Sequence, residues 1–334
     1  MKQFFHKIRL NLNLNLSLPV RRSFFSVGGS LILIITLSWG FYGHKSINRL
    51  AIYTLPTEMM GFYKANVDYL VEHSVDPDKR RYSVEEEAPR HYLDADHYEL
   101  AVPLDTIPHY WKDAVAKYSE DTLKAYGIGP WHLERMMWRL EEAFAKKDPD
   151  AILKQSAEIG HYAADLCVPL HSTLNYNGQL TNQKGIHGFW ESRLPELFAD
   201  DYDFYVGKAE YVAHINSLIW EVFEESCAAR DSVLSFERDL SKEFPEEKKY
   251  AFEEKGNGLV KVYSQEYSKA YHDKLSGMVE RRMRRATYFV GCLWYTAWVN
   301  AGSPDLGVTP TPVMADSTIK NQIQSEQHLE RTRP

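Results

Sequence analysis

Apolar side chains recur every three or four residues along most of this chain, which is the spacing that places them on one face of an α-helix. The predicted helices cover 44–72 with a break at Pro56, 109–126, 131–146, about 150–168, a stretch from near Ile186, one or two helices within 204–241, and 259–300. Residues 73–105 are rich in proline, aspartate and arginine and lack this period, so they predict an irregular loop. Gly256-Asn257-Gly258 is interpreted as a break, and no convincing alternation predicts strands. We therefore expect an all-α fold.

The first 38 residues have the layout of an export signal. Arg21 and Arg22 precede an apolar stretch that is short for a membrane span, and Thr36 and Ser38 are small residues at the positions before a cut. We predict a signal peptide over 1–38, cleavage that exposes Trp39, and a periplasmic or secreted protein. An uncleaved anchor is the alternative, and the paired arginines also faintly resemble a twin-arginine export signal.

Composition limits the remaining architecture. The chain has 334 residues, of which 44% are apolar, enough for one large core, so we expect a single multi-helix domain over 39–302. The polar, proline-containing segment 303–334 is predicted to be a disordered tail. The three cysteines form no CxxC motif, which excludes a disulfide framework.

Charge weighs weakly against a dedicated nucleic-acid groove. Residues 1–38 carry five basic side chains and no acidic one. The rest of the chain has 34 basic and 46 acidic side chains, which gives −12. A nucleic-acid groove needs a basic footprint, although bound dications would offset the deficit locally, so a nuclease is not excluded.

Histidines and carboxylates form the candidate chemistry. His161 and Asp165 are one helical turn apart, as are His187 and Glu191, so each pair projects from one helix face. Pro169 ends the first helix and frees His171 to point elsewhere. Nitrogen and carboxylate donors without thiolates suit zinc, and a cluster this rich suits a hydrolase. The full set of candidates is Trp39, His44, Asp76, His91, His161, Asp165, His171, His187 and Glu191.

These residues resemble a known superfamily. The spacings His-x3-Asp-x5-His and His-x3-Glu, with a Trp at the predicted cleavage point, are similar to those of the zinc-dependent phospholipases C and the single-strand-specific zinc nucleases. The resemblance implies an all-helical, exported enzyme with three zinc ions. It also implies that the amine of the mature N-terminal Trp is a metal ligand.

The resemblance further implies how the ligands are shared. The Trp39 amine and carbonyl with His44 would hold one zinc, and Asp165 would bridge it to a second. That second zinc would be held by Asp76, His91 and His161, and the third by His171, His187 and Glu191. Asp76 and Asp165 are the candidate catalytic residues, with Asp76 orienting or deprotonating a water. Asp78 is an alternative to Asp76, which is preferred because its distance to His91 fits the nuclease branch.

The expected activity is hydrolysis of phosphate esters, since bound zinc lowers the pKa of water and neutralises charge on a phosphoryl group. Glu191 and the 16-residue step from His171 to His187 resemble the phospholipase branch. The five-residue step from Trp39 to His44 resembles the nucleases, and Tyr42 replaces an acid that helps hold choline in phospholipases. We favour a phospholipase C-like enzyme.

The alternatives are a single-strand-specific endonuclease or 3′-nucleotidase and, more remotely, a non-catalytic metal-binding surface protein. The expected substrate is a phospholipid or a single-stranded nucleic acid. We expect transient contact with a membrane surface and no obligate protein partner.

Overall fold

The computed structural model describes residues 41–255 and 258–307. The predicted signal peptide, Trp39 and residues 308–334 of the predicted tail lie outside the described residues. Within them, none of the helices is long and apolar enough to cross a membrane. All three cysteines are buried and unpaired, as their isolated positions in the sequence suggested.

Helices dominate the described chain and confirm the predicted all-α class. They are α1 (Phe41–Ala51), α2 (Thr57–Ala65), α3 (Val67–His73), α4 (Asp76–Arg80), α5 (Trp111–Tyr118), α6 (Glu120–Tyr126), α7 (Gly129–Lys146), α8 (Pro149–Leu166), α9 (Ile186–Gly188), α10 (Leu194–Phe198), α11 (Ile215–Glu243), α12 (Glu246–Lys249), α13 (Gln265–Lys274) and α14 (Met278–Asn300). Short 3-10 turns cover Ile52–Thr54, Ala88–His91, Ala95–His97, Pro169–Ser172 and Ala199–Asp201. A π-helical turn, Phe189–Arg193, joins α9 to α10.

One element departs from the predicted pattern. Strands β1 (Tyr250–Lys255) and β2 (Gly258–Tyr263) pair antiparallel, with Tyr250 opposite Tyr263. A Gly-Asn dipeptide between two strands is a common hairpin connection. The sequence that we interpreted as a simple break therefore contained a signal for a hairpin. The hairpin replaces the start of the helical stretch that was predicted from residue 259.

Helix α8 is central and is buried on almost every side. It packs against α1, α3, α7 and α14. Asp148 caps its first turn by accepting a hydrogen bond from the Ala151 amide at 3.1 Å, and the chain leaves the helix just before Pro169. These polar and proline boundaries agree with the predicted helix of about 150–168.

A single glycine sets how closely α1 approaches α8. A Cβ atom at Gly160 would lie 2.1 Å from Oδ1 of Asn48 on α1, which is far inside contact distance. Asn48 is itself fixed, because its Nδ2 donates to the carbonyl of His44 at 3.0 Å. Glycine at this position therefore lets the two helices meet without displacing the Asn48 amide, and their contact brings His44 beside His161.

Two further segments refine the predicted boundaries. The stretch from 73 to 105 is largely irregular, but it contains α4 and two 3-10 turns. After α14, Pro304 is buried, and the Trp298 indole donates to its carbonyl at 2.9 Å. The packed part of the chain thus continues past residue 302.

Candidate metal centre

Seven of the nine candidate ligands converge in one region. The structure forms three groups whose donor atoms lie within 4.8 Å of one another: His44, His161 and Asp165; Asp78, His91 and His161; and His171, His187 and Glu191. They come from α1, α4, the turn Ala88–His91, α8, the turn Pro169–Ser172 and the segment from α9 into the π-helical turn. Distant parts of the sequence therefore supply one cluster of donors.

Asp165 lies at the centre of the first two groups. Its Oδ2 lies 2.9 Å from Nδ1 of His91 and 3.3 Å from Nε2 of His161, and its Oδ1 lies 3.4 Å from Nε2 of His44. Burial would raise the pKa of this carboxyl, but the neighbouring histidines His161 and His171 hold it well below its usual range. Each oxygen of the ionised group thus faces a different set of nitrogen donors.

The structure corrects the choice between the two aspartates at the start of α4. Asp78, not Asp76, joins His91 and His161. The carboxylate of Asp76 instead pairs with His73 Nδ1 at 2.6 Å and with Lys79 Nζ at 2.9 Å. Residues two apart on a helix point in directions about 200° apart, so only one of the two aspartates can face the cluster.

Glu191 organises the third group. Its Oε2 lies 2.8 Å from Nε2 of His187 and 3.6 Å from Nε2 of His171, and its Oε1 lies 3.6 Å from Nε2 of His44. Burial would raise the pKa of Glu191, but hydrogen bonds with these histidines hold it well below its usual range. The predicted one-turn spacing of His187 and Glu191 therefore brings the pair together, although the turn between them is π-helical.

Backbone carbonyls orient several of these histidines. Nδ1 of His161 bonds to the carbonyl of Ser74 at 2.8 Å, and Nδ1 of His171 bonds to the carbonyl of His91 at 2.7 Å. Nδ1 of His187 lies 3.3 Å from the carbonyl of Tyr176. In each case the ring donates through Nδ1, which leaves Nε2 free as an electron-pair donor toward the cluster.

A buried glutamate that the sequence analysis missed faces the remaining ring nitrogen of His91. Oε1 of Glu87 lies 3.8 Å from His91 Nε2, while His91 Nδ1 faces Asp165. The Tyr162 hydroxyl donates to Glu87, and Nη1 of Arg90 bonds to it at 2.7 Å. Burial raises the pKa of Glu87, but these contacts and Arg80 lower it overall. A carboxylate behind a ligating histidine is a common orienting device, but nothing in the irregular sequence around residue 87 indicated it.

The donors fit zinc. They are imidazole nitrogens and carboxylate oxygens without thiolates, a set that zinc accepts in hydrolytic sites. Nε2 of His171 is buried and lacks a hydrogen-bond partner, which is costly for a polar atom unless a ligand satisfies it. Buried nitrogen donors gathered around ionised carboxylates are what a cation site requires.

The cluster opens into a cleft of about 730 Å³. Asp165, His171, His187 and Glu191 line it together with the aromatic side chains of Phe41, Tyr82, Tyr92 and Tyr176. Asp94 also lines it, and burial together with the nearby Asp96 raises the pKa of Asp94 to about 7. The cleft has the size of a small-molecule site, and six of the potential metal donors line it: Asp78, His91, Asp165, His171, His187 and Glu191.

Comparison with known proteins agrees with this geometry. The family model described as zinc dependent phospholipase C matches residues 43–254, well over half of the chain. No curated protein matches. The matched span includes the seven clustered candidates and Asp78. The chain therefore belongs to the zinc-dependent phospholipase C family, and it is a zinc-dependent hydrolase that acts on phosphodiester bonds.

Proposed function

We propose that this protein is an exported enzyme with three zinc ions that hydrolyses the phosphodiester bond of a phospholipid. The observation that carries the proposal is the convergence of three donor groups on one cleft, with Asp165 placed between two of them. The family match supports the phospholipid substrate, and the acidic body of the chain is consistent with it.

The proposed ligand sets follow the three groups. His44 and Asp165, with the amine and carbonyl of Trp39, would hold one zinc. Asp78, His91, His161 and Asp165 would hold the second, with Asp78 in place of Asp76. The third would be held by His171, His187 and Glu191. When bound, zinc lowers the pKa of water and neutralises negative charge on a phosphoryl group.

The chain's own residues supply position and charge. Asp165 remains ionised and presents one oxygen to His44 and the other to His91 and His161, as a bridging carboxylate must. Asp78 lines the cleft and is the group proposed to orient a water and accept its proton. Nη1 of Arg81 lies 3.5 Å from Oδ1 of Asp78, so a positive charge stands beside this carboxylate at the cleft wall.

A second candidate substrate class has its own supporting observation. The aromatic side chains that line the cleft, among them Tyr92 and Tyr176, are the kind on which unpaired bases stack. A single-strand-specific nuclease activity is therefore tested together with the phospholipase activity.

The test is direct. Protein that begins at Trp39 is assayed with added zinc on phosphatidylcholine, single-stranded DNA and bis-nitrophenyl phosphate. We expect hydrolysis of phosphatidylcholine to exceed that of DNA. Cleavage of DNA alone would establish the nuclease activity instead. Inactivity on all three substrates would reject the proposed hydrolytic reaction.

Export and the role of Trp39 are tested together. Mass spectrometry of the protein recovered from cells should give an N-terminus at Trp39. A variant with one extra residue before Trp39 should bind one zinc more weakly, because its terminal amine is displaced. Unchanged zinc binding in that variant would contradict a terminal ligand.

A further inference from the structure

The β1–β2 hairpin is attached to the metal centre at its base. The Tyr263 ring stacks on Phe189 with centroids 3.8 Å apart, and Phe189 lies between His187 and Glu191 on the same turn. The Tyr263 hydroxyl also lies close to the cleft-lining Gly185, 3.8 Å from the point where a Cβ would stand.

A salt bridge holds the other face of the hairpin. Both guanidinium Nη atoms of Arg193 bond to the carboxylate of Glu253, with Nη1 at 2.8 Å. Arg193 is the last residue of the π-helical turn that contains Glu191. The hairpin is therefore fixed on both faces to the segment that presents the third donor group.

Beyond its base, the hairpin exposes apolar side chains. Phe252 is 70% exposed and Leu259 is 69% exposed. The strand register pairs Phe252 with Lys261 and Glu254 with Leu259, so all four side chains project from one face, with Phe252 and Leu259 as diagonal neighbours. Tyr263 belongs to this same face. The exposed apolar pair therefore lies on the hairpin face whose base contacts the cleft.

The loop that lines the cleft carries a second apolar group. Tyr176 lines the cleft and is 52% exposed, and Leu180 is 72% exposed. The Asn177 side chain accepts a hydrogen bond from the Gly185 amide at 2.9 Å, which fastens this loop to the start of α9. The hairpin and the loop are thus both connected to the segment that begins at Gly185.

We propose that the Phe252–Leu259 face of the hairpin, together with Leu180 and Tyr176, docks this protein on a phospholipid surface and holds the cleft mouth against it. This inference rests on the proposed phospholipid substrate, which resides in such surfaces. Insertion of these side chains among the lipids removes apolar area from water, which is favourable roughly in proportion to that area. Lys261 and Glu254 balance each other on the same face, so the docking suits a zwitterionic lipid such as phosphatidylcholine.

The test separates docking from chemistry. The double variant Phe252→Thr/Leu259→Thr retains β-forming residues, and neither position lies in the core. Its binding to phosphatidylcholine vesicles is measured by sedimentation. Its hydrolysis of those vesicles is compared with hydrolysis of a short-chain phosphatidylcholine below its micelle concentration. We expect at least a tenfold loss on vesicles, in both binding and rate, with the rate on the monomeric lipid within twofold of the parent.

Trp138 provides the matched control. It is 63% exposed on α7, a helix that contributes nothing to the cleft lining. Trp138→Thr should leave vesicle binding and both rates unchanged. An equal loss in this control, or an unchanged vesicle rate and vesicle binding in the double variant, would overturn the docking proposal.

Failure of the proposed function gives a different result. A parent protein that binds vesicles through Phe252 and Leu259 without cleaving either lipid supports the docking surface and rejects the phospholipase activity. A parent that cleaves monomeric lipid without binding vesicles supports the phospholipase activity and rejects the docking surface. Light scattering tests the other possible occupant of this face, which is a second copy of the protein. A parent dimer that dissociates in the double variant would show that a second copy binds here and would overturn the docking proposal.

Discussion

The imidazole rings of His44 and His161 stack with their centroids 4.0 Å apart and their planes inclined by 25°. The two residues come from α1 and α8, which touch because Gly160 faces Asn48. The stacking therefore makes the spacing of two helices a condition for assembling the first donor group.

Gly160→Ala should disrupt this arrangement. The added methyl group would overlap the Asn48 amide and push α1 from α8, at a cost of about 1 to 3 kcal/mol in the free energy of unfolding. Urea denaturation and zinc content measure the two effects. Gly43→Ala on α1 is the control, because its Cβ would meet only a carbonyl oxygen of Glu191 at 3.9 Å. Similar stability in the two variants would contradict the close-approach argument.

The two aspartates of α4 should behave differently. Asp78→Asn should lose one of the three zinc ions and lower activity by at least tenfold, because its carboxylate faces His91 and His161. Asp76→Asn should keep both, since Asp76 pairs with His73 and Lys79. Elemental analysis of dialysed protein gives the zinc content. The reverse ranking would restore Asp76 as the ligand.

Asp165→Asn should lose two zinc ions together, because one oxygen of this carboxylate faces His44 and the other faces His91 and His161. His187→Ala, by comparison, should lose one, since His187 belongs only to the third group. Metal stoichiometry and turnover are measured on the same samples. An Asp165→Asn protein that keeps three zinc ions and normal turnover is incompatible with a bridge at this position.

Glu87→Gln should weaken zinc binding without abolishing the fold. Glu87 faces His91 Nε2, and loss of such an orienting carboxylate typically reduces metal affinity by about 10- to 100-fold. Competition with a zinc chelator measures the affinity. The neighbouring, exposed Glu86 gives the matched variant Glu86→Gln, which should bind zinc like the parent. Equal affinities in both variants would remove Glu87 from this role.

Metal removal should reverse the pH dependence of stability. Burial lowers the pKa of His161 and His171, but Asp165 raises both to about 9. In metal-free protein, the charged forms of His161 and His171 therefore stabilise the fold. This stabilisation is complete below about pH 6.5, the pKa of histidine in the unfolded chain, and is lost as the pH rises through about 9. Zinc binds deprotonated imidazole, so zinc-loaded protein should gain stability as the pH rises toward 8. Melting temperatures with chelator or zinc at pH 6.5, 8 and 9.5 test these opposite trends.

Local periodicity accounts for the part of the site that could be predicted. His161 and Asp165 are one turn apart on a helix whose apolar spacing is regular, so the direction of this pair follows from the helical repeat. The same four-residue spacing brings His187 and Glu191 together, although the turn between them is π-helical, which the sequence did not indicate. The bend at Pro169 that redirects His171 was equally local.

The parts that escaped prediction depend on irregular or long-range geometry. The choice between Asp76 and Asp78 depends on where the five-residue α4 begins, and Glu87 precedes a 3-10 turn that no periodic pattern indicates. The Gly-Asn dipeptide in the sequence was a local signal for the hairpin. Its attachment through Arg193 and Glu253, however, joins positions 60 residues apart. Such contacts become visible only when the chain is folded.

The carbonyl groups of Ser74, His91 and Tyr176 settle which tautomer His161, His171 and His187 adopt. The folded backbone consequently fixes the orientations of these rings before any cation binds. The ordering entropy of three side chains is lost during folding, so capture of metal afterwards requires only the release of protons and water. A chain built in this way can take up zinc after it has folded, at little further cost in side-chain entropy.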